Sequence, residues 1–169
     1  IHSLMSHHQK LYDKKTISLI IKNINKANQI ITVSKLVKKS YKKLTDKYFN
    51  IIPNGYSPKK ITPLPEILIN KLMGKTVFLF AGYLFNLKRP LLILDSVISL
   101  RKNGFKKFVV LIIGTGPLYK KMQKIIYKER LEEMVYLLGE IDPLEMPAYF
   151  KRADVILQPS ISESFSMTC

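Results

Sequence analysis

The chain has 169 residues, a hydrophobic fraction of 47% and a formal net charge of +16. This length corresponds to about one ordinary domain, and the apolar content is too high for a disordered chain. No apolar run approaches the ~20 residues that span a bilayer, and the single cysteine, Cys169, excludes an internal disulfide framework. The composition therefore predicts a globular protein of a reducing, cytoplasmic compartment.

The positive charge is concentrated in the first half of the chain. Residues 1–75 carry 15 lysines and 3 acidic residues, a net charge of +12, whereas residues 76–169 carry 13 basic and 9 acidic residues, a net charge of +4. Such asymmetry favours a partner with negative charge, either phosphate, anionic lipid or nucleic acid. The alternative is a lysine-rich surface that is simply solvated.

The first 55 residues predict short helices that alternate with short apolar strands. Isoleucines at near-helical spacing and β-branched apolar runs give the assignment, and Ser34 is a favourable N-cap for the second helix. Asn54-Gly55 then marks a turn. We predict helices over residues 16–28 and 35–45 and strands over residues 29–33 and 49–52.

A segment rich in proline and lysine, residues 53–65, separates these elements from the rest and is predicted to be a linker. Four strands follow, each near-continuously apolar, with helices between them. The predicted strands are residues 76–81, 108–113, 134–138 and 154–157, and the predicted helices begin at Pro90, Pro117 and Pro143. Strands of this kind in a β-α-β-α-β-α-β order belong to an α/β fold with a Rossmann-like parallel sheet.

In such a sheet, right-handed crossovers bring all the carboxyl ends of the strands to one edge, where ligands bind. The residues that follow the four strands are therefore predicted to converge, and Lys88 and Glu163 to line a common crevice. These strand-end residues are Gly82, Gly114 with Gly116, Gly139, and residues 160–163.

The chemistry at this edge allows two interpretations. Gly114-Thr115-Gly116 before a helix can bring backbone N–H groups close to a phosphate, or it can be a tight βα turn. A dinucleotide fingerprint would need a third glycine where Tyr119 stands, which disfavours a dehydrogenase. Lys88 could neutralise a phosphate, and Glu163 could accept hydrogen bonds from sugar hydroxyls or cap a following helix.

No cofactor or metal ion is expected. An Asp-x-Asp pair that would hold a divalent metal against a diphosphate is missing from the sequence, and His2, His7 and His8 lack further ligands at metal-binding spacing. Charge on a bound diphosphate would then be balanced by lysine, arginine and backbone dipoles.

Taken together, the segments resemble the GT-B-type retaining glycosyltransferases of family 4, the "glycosyl transferases group 1" domain. The resemblance depends on six segments in the family's order and spacing, each weak by itself. They are Ile30-Ile-Thr-Val-Ser34, Ile51-Ile-Pro-Asn-Gly55, Ala81-Gly-Tyr-Leu-Phe-Asn-Leu-Lys88, Leu111-Ile-Ile-Gly-Thr-Gly-Pro117, Val135-Tyr-Leu-Leu-Gly139, and Ala153-Asp-Val-Ile-Leu-Gln-Pro-Ser160 with Glu163-Ser-Phe-Ser166.

The resemblance implies two Rossmann-like domains with an active site between them. Residues 1–52 would be the end of an acceptor domain, residues 53–65 the linker, and residues 66–169 the start of a donor domain. A hexosyl group would pass from a nucleotide-diphospho-sugar to a lipid or saccharide acceptor, with retention and without metal. Glu163 would be the catalytic residue, and the donor-binding residues would be Gly82, Lys88, Arg89, Gly114, Gly116, Ser164, Phe165 and Ser166.

Some positions depart from the family pattern. Tyr83 stands where an arginine is usual, Arg89 stands where glycine is typical, and Ser164 and Ser166 replace glycines. The second glutamate of the family motif would fall at position 171, beyond Cys169, so the resemblance implies an internal fragment or truncated gene that is inactive by itself.

A second hypothesis is a basic anion- or nucleotide-binding module without catalysis. The lysine-rich first half would then recruit a membrane surface or nucleic acid. Because the sequence lacks an RNA-binding aromatic signature, nucleic acid is not expected, and peripheral membrane contact is favoured. This hypothesis is compatible with glycosyl transfer to a lipid acceptor.

Overall fold

The computed structural model describes residues 13–42, 44–55 and 62–163. These residues form two compact units. The first contains residues 13–42 and 44–55 together with Ser162 and Glu163, and the second contains residues 62–161. The division falls inside the segment predicted as a linker, residues 53–65. The assignment of the units to acceptor and donor domains stays a prediction.

The first unit is a small α/β arrangement with one pair of parallel strands. Its elements are α1 (Lys14–Lys26), β1 (Ile30–Thr32), α2 (Lys35–Tyr41) and β2 (Phe49–Ile51). β1 pairs with β2 from Ile30 opposite Phe49 to Thr32 opposite Ile51. All four predicted elements are therefore present. α1 is displaced by two residues towards the N-terminus, and the other three are shorter than the pattern suggested.

Side-chain caps and one apolar cluster hold the first unit together. The N–H of Thr16 donates to the Asp13 carboxylate over 2.7 Å at the start of α1, and the N–H of Val37 donates to the Ser34 hydroxyl over 3.2 Å at the start of α2. The Ser34 cap was predicted, because a hydroxyl there satisfies an N–H group that has no partner within the helix. The core consists of Ile24, Ile30, Val33, Val37, Tyr41 and Phe49.

The second unit contains four parallel strands and four helices. Its elements are α3 (Glu66–Leu72), β3 (Thr76–Ala81), a 3₁₀ turn (Asn86–Lys88), α4 (Pro90–Lys102), β4 (Phe108–Ile113), α5 (Tyr119–Lys128), β5 (Val135–Gly139), α6 (Met146–Arg152) and β6 (Val155–Ile156). The strands lie in the order β5-β4-β3-β6. All three strand pairs are parallel, which confirms the predicted α/β class with a Rossmann-like sheet.

Alternate side chains of β3 and β4 point into two separate cores, one on each face of the sheet. Leu79 and Leu111 pack with residues of α3 and α6, while Phe80 and Ile112 pack with residues of α4 and α5. Every residue of β4 is buried. A strand covered on both faces must be apolar throughout, which explains the continuous hydrophobic run.

β6 differs from the other strands because both of its residues are exposed. Val155 and Ile156 keep 41% and 39% of their surface accessible. Its apolar sequence alone predicted a strand covered on both faces, like β3 and β4. β6 has one neighbouring strand only, β3, as β5 has only β4 at the other edge, but β6 is also just two residues long.

Two helix predictions need correction. The helix predicted to open at Pro117 begins at Tyr119, because residues 116–119 form a turn in which the N–H of Tyr119 donates to the Gly116 carbonyl over 3.0 Å. The helix predicted from Pro143 begins at Met146. There the Asp142 carboxylate accepts the N–H of Leu144 over 2.7 Å, which favours a turn before the helix.

Candidate donor site at the sheet edge

The loops that follow β3, β4 and β5 are joined to one another by backbone hydrogen bonds. The N–H of Gly82 donates to the Ile113 carbonyl over 3.0 Å, and the N–H of Leu84 donates to the Thr115 carbonyl over 2.8 Å. The N–H of Gly114 donates to the Gly139 carbonyl over 2.6 Å. The predicted convergence of these glycine-containing loops at one edge is therefore confirmed.

Gly114 and Gly116 are required by this packing of backbone on backbone. A Cβ atom at Gly114 would overlap the Gly82 carbonyl oxygen, and one at Gly116 would lie 2.6 Å from the Leu84 carbonyl oxygen. Their φ angles of 128° and 151° are also ones that other residues rarely adopt. The tight βα turn thus accounts for both glycines, and their contact with a nucleotide stays a prediction.

Lys88 and Arg89 lie between β3 and the first turn of α4. Lys88 ends the 3₁₀ turn and is half-buried, and Arg89 is exposed. Arg89 has φ 50° and ψ 43°, a left-handed conformation that costs a residue with a Cβ roughly 1–2 kcal/mol. Pro90 then starts α4, as predicted, because proline is favoured at the first helical position.

The loop after β6 reaches the turn that carries Lys88. The N–H of Ile161 donates to the Leu87 carbonyl over 2.9 Å. Leu87 precedes Lys88, and Ile161 lies two residues before Glu163, so this bond joins the two segments of backbone. No residue type in the sequence signals this contact, because both partners are main-chain atoms. It is the observation that brings the fourth strand end to the same edge as the other three.

Glu163 is half-buried and belongs to the first unit by its contacts, whereas Lys88 belongs to the second. That the two side chains face one ligand stays a prediction. The remaining predicted donor-binding residues, Ser164, Phe165 and Ser166, lie outside the described residues. So do His2, His7, His8 and Cys169.

Asp154, which comes immediately before β6, stabilises the sheet at the end where β3 and β6 begin, opposite the candidate site. Its carboxylate accepts the N–H of Val77 over 2.7 Å, and its Oδ2 lies 3.5 Å from the Nη1 of Arg152. Arg152 also donates from Nη2 to the carbonyl of Leu72 at the end of α3, over 2.7 Å. Asp154 therefore has a structural role away from the candidate site.

An apolar groove of the second unit lies beside β6, with a volume of about 360 Å³. Phe78, Phe108 and Ile156 are among the side chains that line it, and Ser96 and Gln158 are its only residues with polar side chains. A diphosphate needs several convergent donors or cations, so this groove does not fit one. The glycine-containing edge remains the candidate donor site.

Neither a metal site nor a membrane span is found in the part of the chain that the structure describes. There, no three histidine, cysteine or carboxylate side chains lie together as ligands of an ion. Within the same residues, no helix is both long and apolar enough to cross a bilayer.

Solved structures share this fold at low sequence identity. Sucrose-phosphate synthase from Thermosynechococcus elongatus is similar over 98% of this chain and 45% of its own, with a TM-score of 0.77 and 17% identity. Anabaena HepE in complex with UDP-glucose is similar over 97% of this chain and 46% of its own, with a TM-score of 0.76 and 15% identity. The described residues therefore have part of a GT-B fold.

The relatives lead to the same family. An uncharacterized glycosyltransferase of Methanocaldococcus jannaschii is 30% identical over 142 residues, which cover 83% of this chain and 36% of that protein. The chain thus spans between a third and a half of the length of these relatives. The family model described as "Glycosyl transferases group 1" matches residues 68–169, more than half of the chain. The chain belongs to the glycosyl transferases group 1 family.

Proposed function

We propose that the second unit binds the nucleotide and diphosphate of a nucleotide-diphospho-sugar, the donor of a retaining, family 4 hexosyltransferase. The hydrogen bond from the N–H of Ile161 to the Leu87 carbonyl supports this proposal most directly, because it joins the loop before Glu163 to the turn that carries Lys88. Anabaena HepE, which shares the fold, was solved with UDP-glucose. The first unit would belong to the acceptor-binding part, for a lipid or saccharide acceptor.

The donor diphosphate would be bound without a metal ion. Lys88 and Arg89 supply positive charge next to the glycine-containing loops, and main-chain N–H groups at this edge can add hydrogen bonds to phosphate oxygens. Arg89 would also offset the missing arginine at Tyr83, whose exposed ring lies against that of Phe85 at a centroid distance of 5.4 Å. No further cofactor is needed for this chemistry.

Glu163 would bind the sugar rather than the phosphates. An ionised carboxylate accepts hydrogen bonds only, so two sugar hydroxyls can donate to it while phosphate oxygens are repelled. In a retaining front-face reaction, the leaving phosphate accepts the proton of the acceptor hydroxyl as the new glycosidic bond forms on the same face. The protein then contributes mainly by positioning groups and stabilising charge on the leaving diphosphate.

The two assigned roles can be separated by calorimetry with UDP and with UDP-, GDP- and ADP-sugars. Lys88→Gln should lower the affinity for UDP and for UDP-sugars alike, by about tenfold or more, because each ligand loses a charge-assisted contact to phosphate. Glu163→Gln should leave UDP unchanged and weaken only the sugar nucleotide. Binding is the right readout, because it does not require the whole length of the relatives.

Matched controls lie where the strands begin, at the end of the sheet opposite the candidate donor site. Lys106 and Glu132 are exposed residues just before β4 and β5, respectively, so Lys106→Gln and Glu132→Gln change the same charges away from the site. Thermal unfolding of all four variants monitors their folding. Donor binding that is unchanged in well-folded Lys88→Gln and Glu163→Gln would contradict the proposal.

A further inference from the structure

The outward face of α1 carries a row of lysines around one exposed leucine. Lys15, Leu19, Lys22 and Lys26 are spaced by four, three and four residues, which places them on one side of a helix of period 3.6. All four are exposed, and Leu19 keeps 57% of its surface accessible. We call these four residues the α1 basic face.

The opposite face of α1 is committed to the core of the first unit. Ile24 is buried there, and Ile17 and Ile20 pack against the same apolar cluster. The α1 basic face is therefore held outward by the packing of the helix. The fold leaves Leu19 exposed, since a rotation of α1 that buried Leu19 would expose the isoleucines to water.

The surroundings of this face are strongly positive. The described residues of the first unit between 13 and 55 include two acidic residues, Asp13 and Asp46, and no arginine. Their lysines are Lys14, Lys15, Lys22, Lys26, Lys35, Lys38, Lys39, Lys42 and Lys47. Such a field attracts an anionic partner, and it weakens with added salt.

We propose that the α1 basic face docks onto the surface of an anionic lipid bilayer. Its lysine ammonium groups would pair with lipid phosphates, and Leu19 would enter the boundary between headgroups and acyl chains. The span from Lys15 to Lys26 is about 16 Å at a rise of 1.5 Å per residue, which lets several headgroups bind at once. This inference does not depend on the donor site.

A bilayer fits these side chains better than nucleic acid does. Nucleic-acid surfaces usually combine cations with arginine forks or aromatic rings on which bases stack. The α1 basic face has neither, and an exposed leucine among the lysines adds nothing to phosphate-backbone binding. The same leucine gains hydrophobic burial at a lipid surface.

Tryptophan fluorescence offers a direct test, because the chain contains no tryptophan. Leu19→Trp places a single fluorophore in the α1 basic face. We expect a blue shift when this variant meets phosphatidylcholine vesicles that contain phosphatidylglycerol. Pure phosphatidylcholine vesicles should give little shift, and added salt should reverse it.

The matched control is Tyr127→Trp on α5 of the second unit. Tyr127 is 78% exposed and has lysines nearby on its helix, so it reports on non-specific attraction to a charged vesicle. We expect no blue shift from this variant. An equal shift in both variants would overturn the assignment to α1.

Lysine substitutions test the electrostatic part. Vesicle sedimentation of the triple variant Lys15→Gln, Lys22→Gln and Lys26→Gln should show a loss of partitioning of about fivefold per lysine, on the order of 100-fold in total. The control is Lys120→Gln, Lys124→Gln and Lys128→Gln on α5, which removes the same charge and should have a much smaller effect. Circular dichroism monitors helix content.

Three further outcomes would overturn the proposal. These are no blue shift of Leu19→Trp on anionic vesicles, equal losses in the two triple variants, and binding to duplex DNA at the same salt that exceeds binding to the vesicles. The last outcome would assign the positive field of the first unit to nucleic acid.

Discussion

The glycine-containing loops of the second unit and the helix starts of the first unit are fixed by different kinds of contact. In the second unit, backbone meets backbone, as where the N–H of Gly82 donates to the Ile113 carbonyl and that of Gly114 to the Gly139 carbonyl. In the first unit, the helices start on side-chain caps, the Asp13 carboxylate and the Ser34 hydroxyl. A backbone junction depends on the absence of a side chain, whereas a cap depends on the chemistry of one group.

This difference bears on how each unit tolerates change. The cap of α1 can be replaced by water if it is lost, because Asp13 is exposed. A clash inside a backbone junction cannot be relieved without moving the strands that the junction connects. The second unit should therefore be sensitive to substitution at a few glycines, and the first unit should respond weakly to many changes.

The largest expected effect is that of Gly114→Ala. A methyl group there would overlap the Gly82 carbonyl oxygen, and the φ of 128° is unfavourable for alanine. We expect a loss of about 3 kcal/mol or more in the free energy of unfolding, measured by urea denaturation.

Gly104→Ala is the matched control for this variant. Gly104 has φ 84°, and no atom lies within 4 Å of where its Cβ would be. It should cost about 1 kcal/mol, the price of the backbone conformation alone. Equal losses in the two variants would show that the packing of the two loops adds nothing to the backbone term.

An intermediate effect of opposite sign is expected for Arg89→Gly. Glycine relieves the left-handed backbone at φ 50° and should raise the free energy of unfolding by about 0.5–1 kcal/mol. Removal of the guanidinium should at the same time weaken UDP binding. A residue that costs stability and contributes binding is expected at a functional site.

Arg130→Gly separates these two effects. Among the described residues, Arg89 and Arg130 are the two residues other than glycine that have a positive φ, which is 51° at Arg130. Arg130 follows α5 and lies away from the candidate donor site. This variant should gain similar stability with unchanged UDP binding. If both variants bind UDP as the parent does, Arg89 has no role in donor binding.

The smallest expected effect is the response of α1 to acid. The N–H of Thr16 donates to the Asp13 carboxylate and holds the pKa of Asp13 below its ordinary value of 3.8. Because the folded state favours the ionised form, this stabilisation is fully present above the ordinary pKa and is lost as pH falls through the lower, folded pKa.

Amide NMR can follow this loss residue by residue. The Thr16 amide should shift and exchange faster with water as Asp13 is protonated. The Val37 amide is an internal control, because its Ser34 cap does not titrate in this range. Parallel behaviour of the two amides would indicate global unfolding of the first unit instead of local loss of the cap.

Several features could be read from residue types alone. Residues 76–81 and 108–113 are β3 and β4 with the predicted bounds, because a continuous apolar run between glycine and charged residues has few alternatives. The parallel sheet followed from the alternation of such runs with helices. α3 was missed, since the Pro- and Lys-rich segment before it obscured a helix of only seven residues.

The candidate site could be predicted only in part. The sequence placed Gly82, Gly114 and Gly116 at strand ends, and the resemblance gave roles to Lys88 and Glu163. Neither the sequence nor the resemblance revealed that Gly114 and Gly116 each accommodate the backbone of a neighbouring loop, or that Arg89 has a left-handed backbone.

What the sequence by itself determined is the class of fold, its parallel strands and the edge at which their glycine-containing loops meet, because hydrophobic periodicity and turn residues encode these locally. Only the tertiary structure decided how the loops meet, as where Ile161 binds Leu87. Main-chain atoms are the same in every residue, so a contact between two backbones leaves no signal in the sequence except where a side chain must be absent.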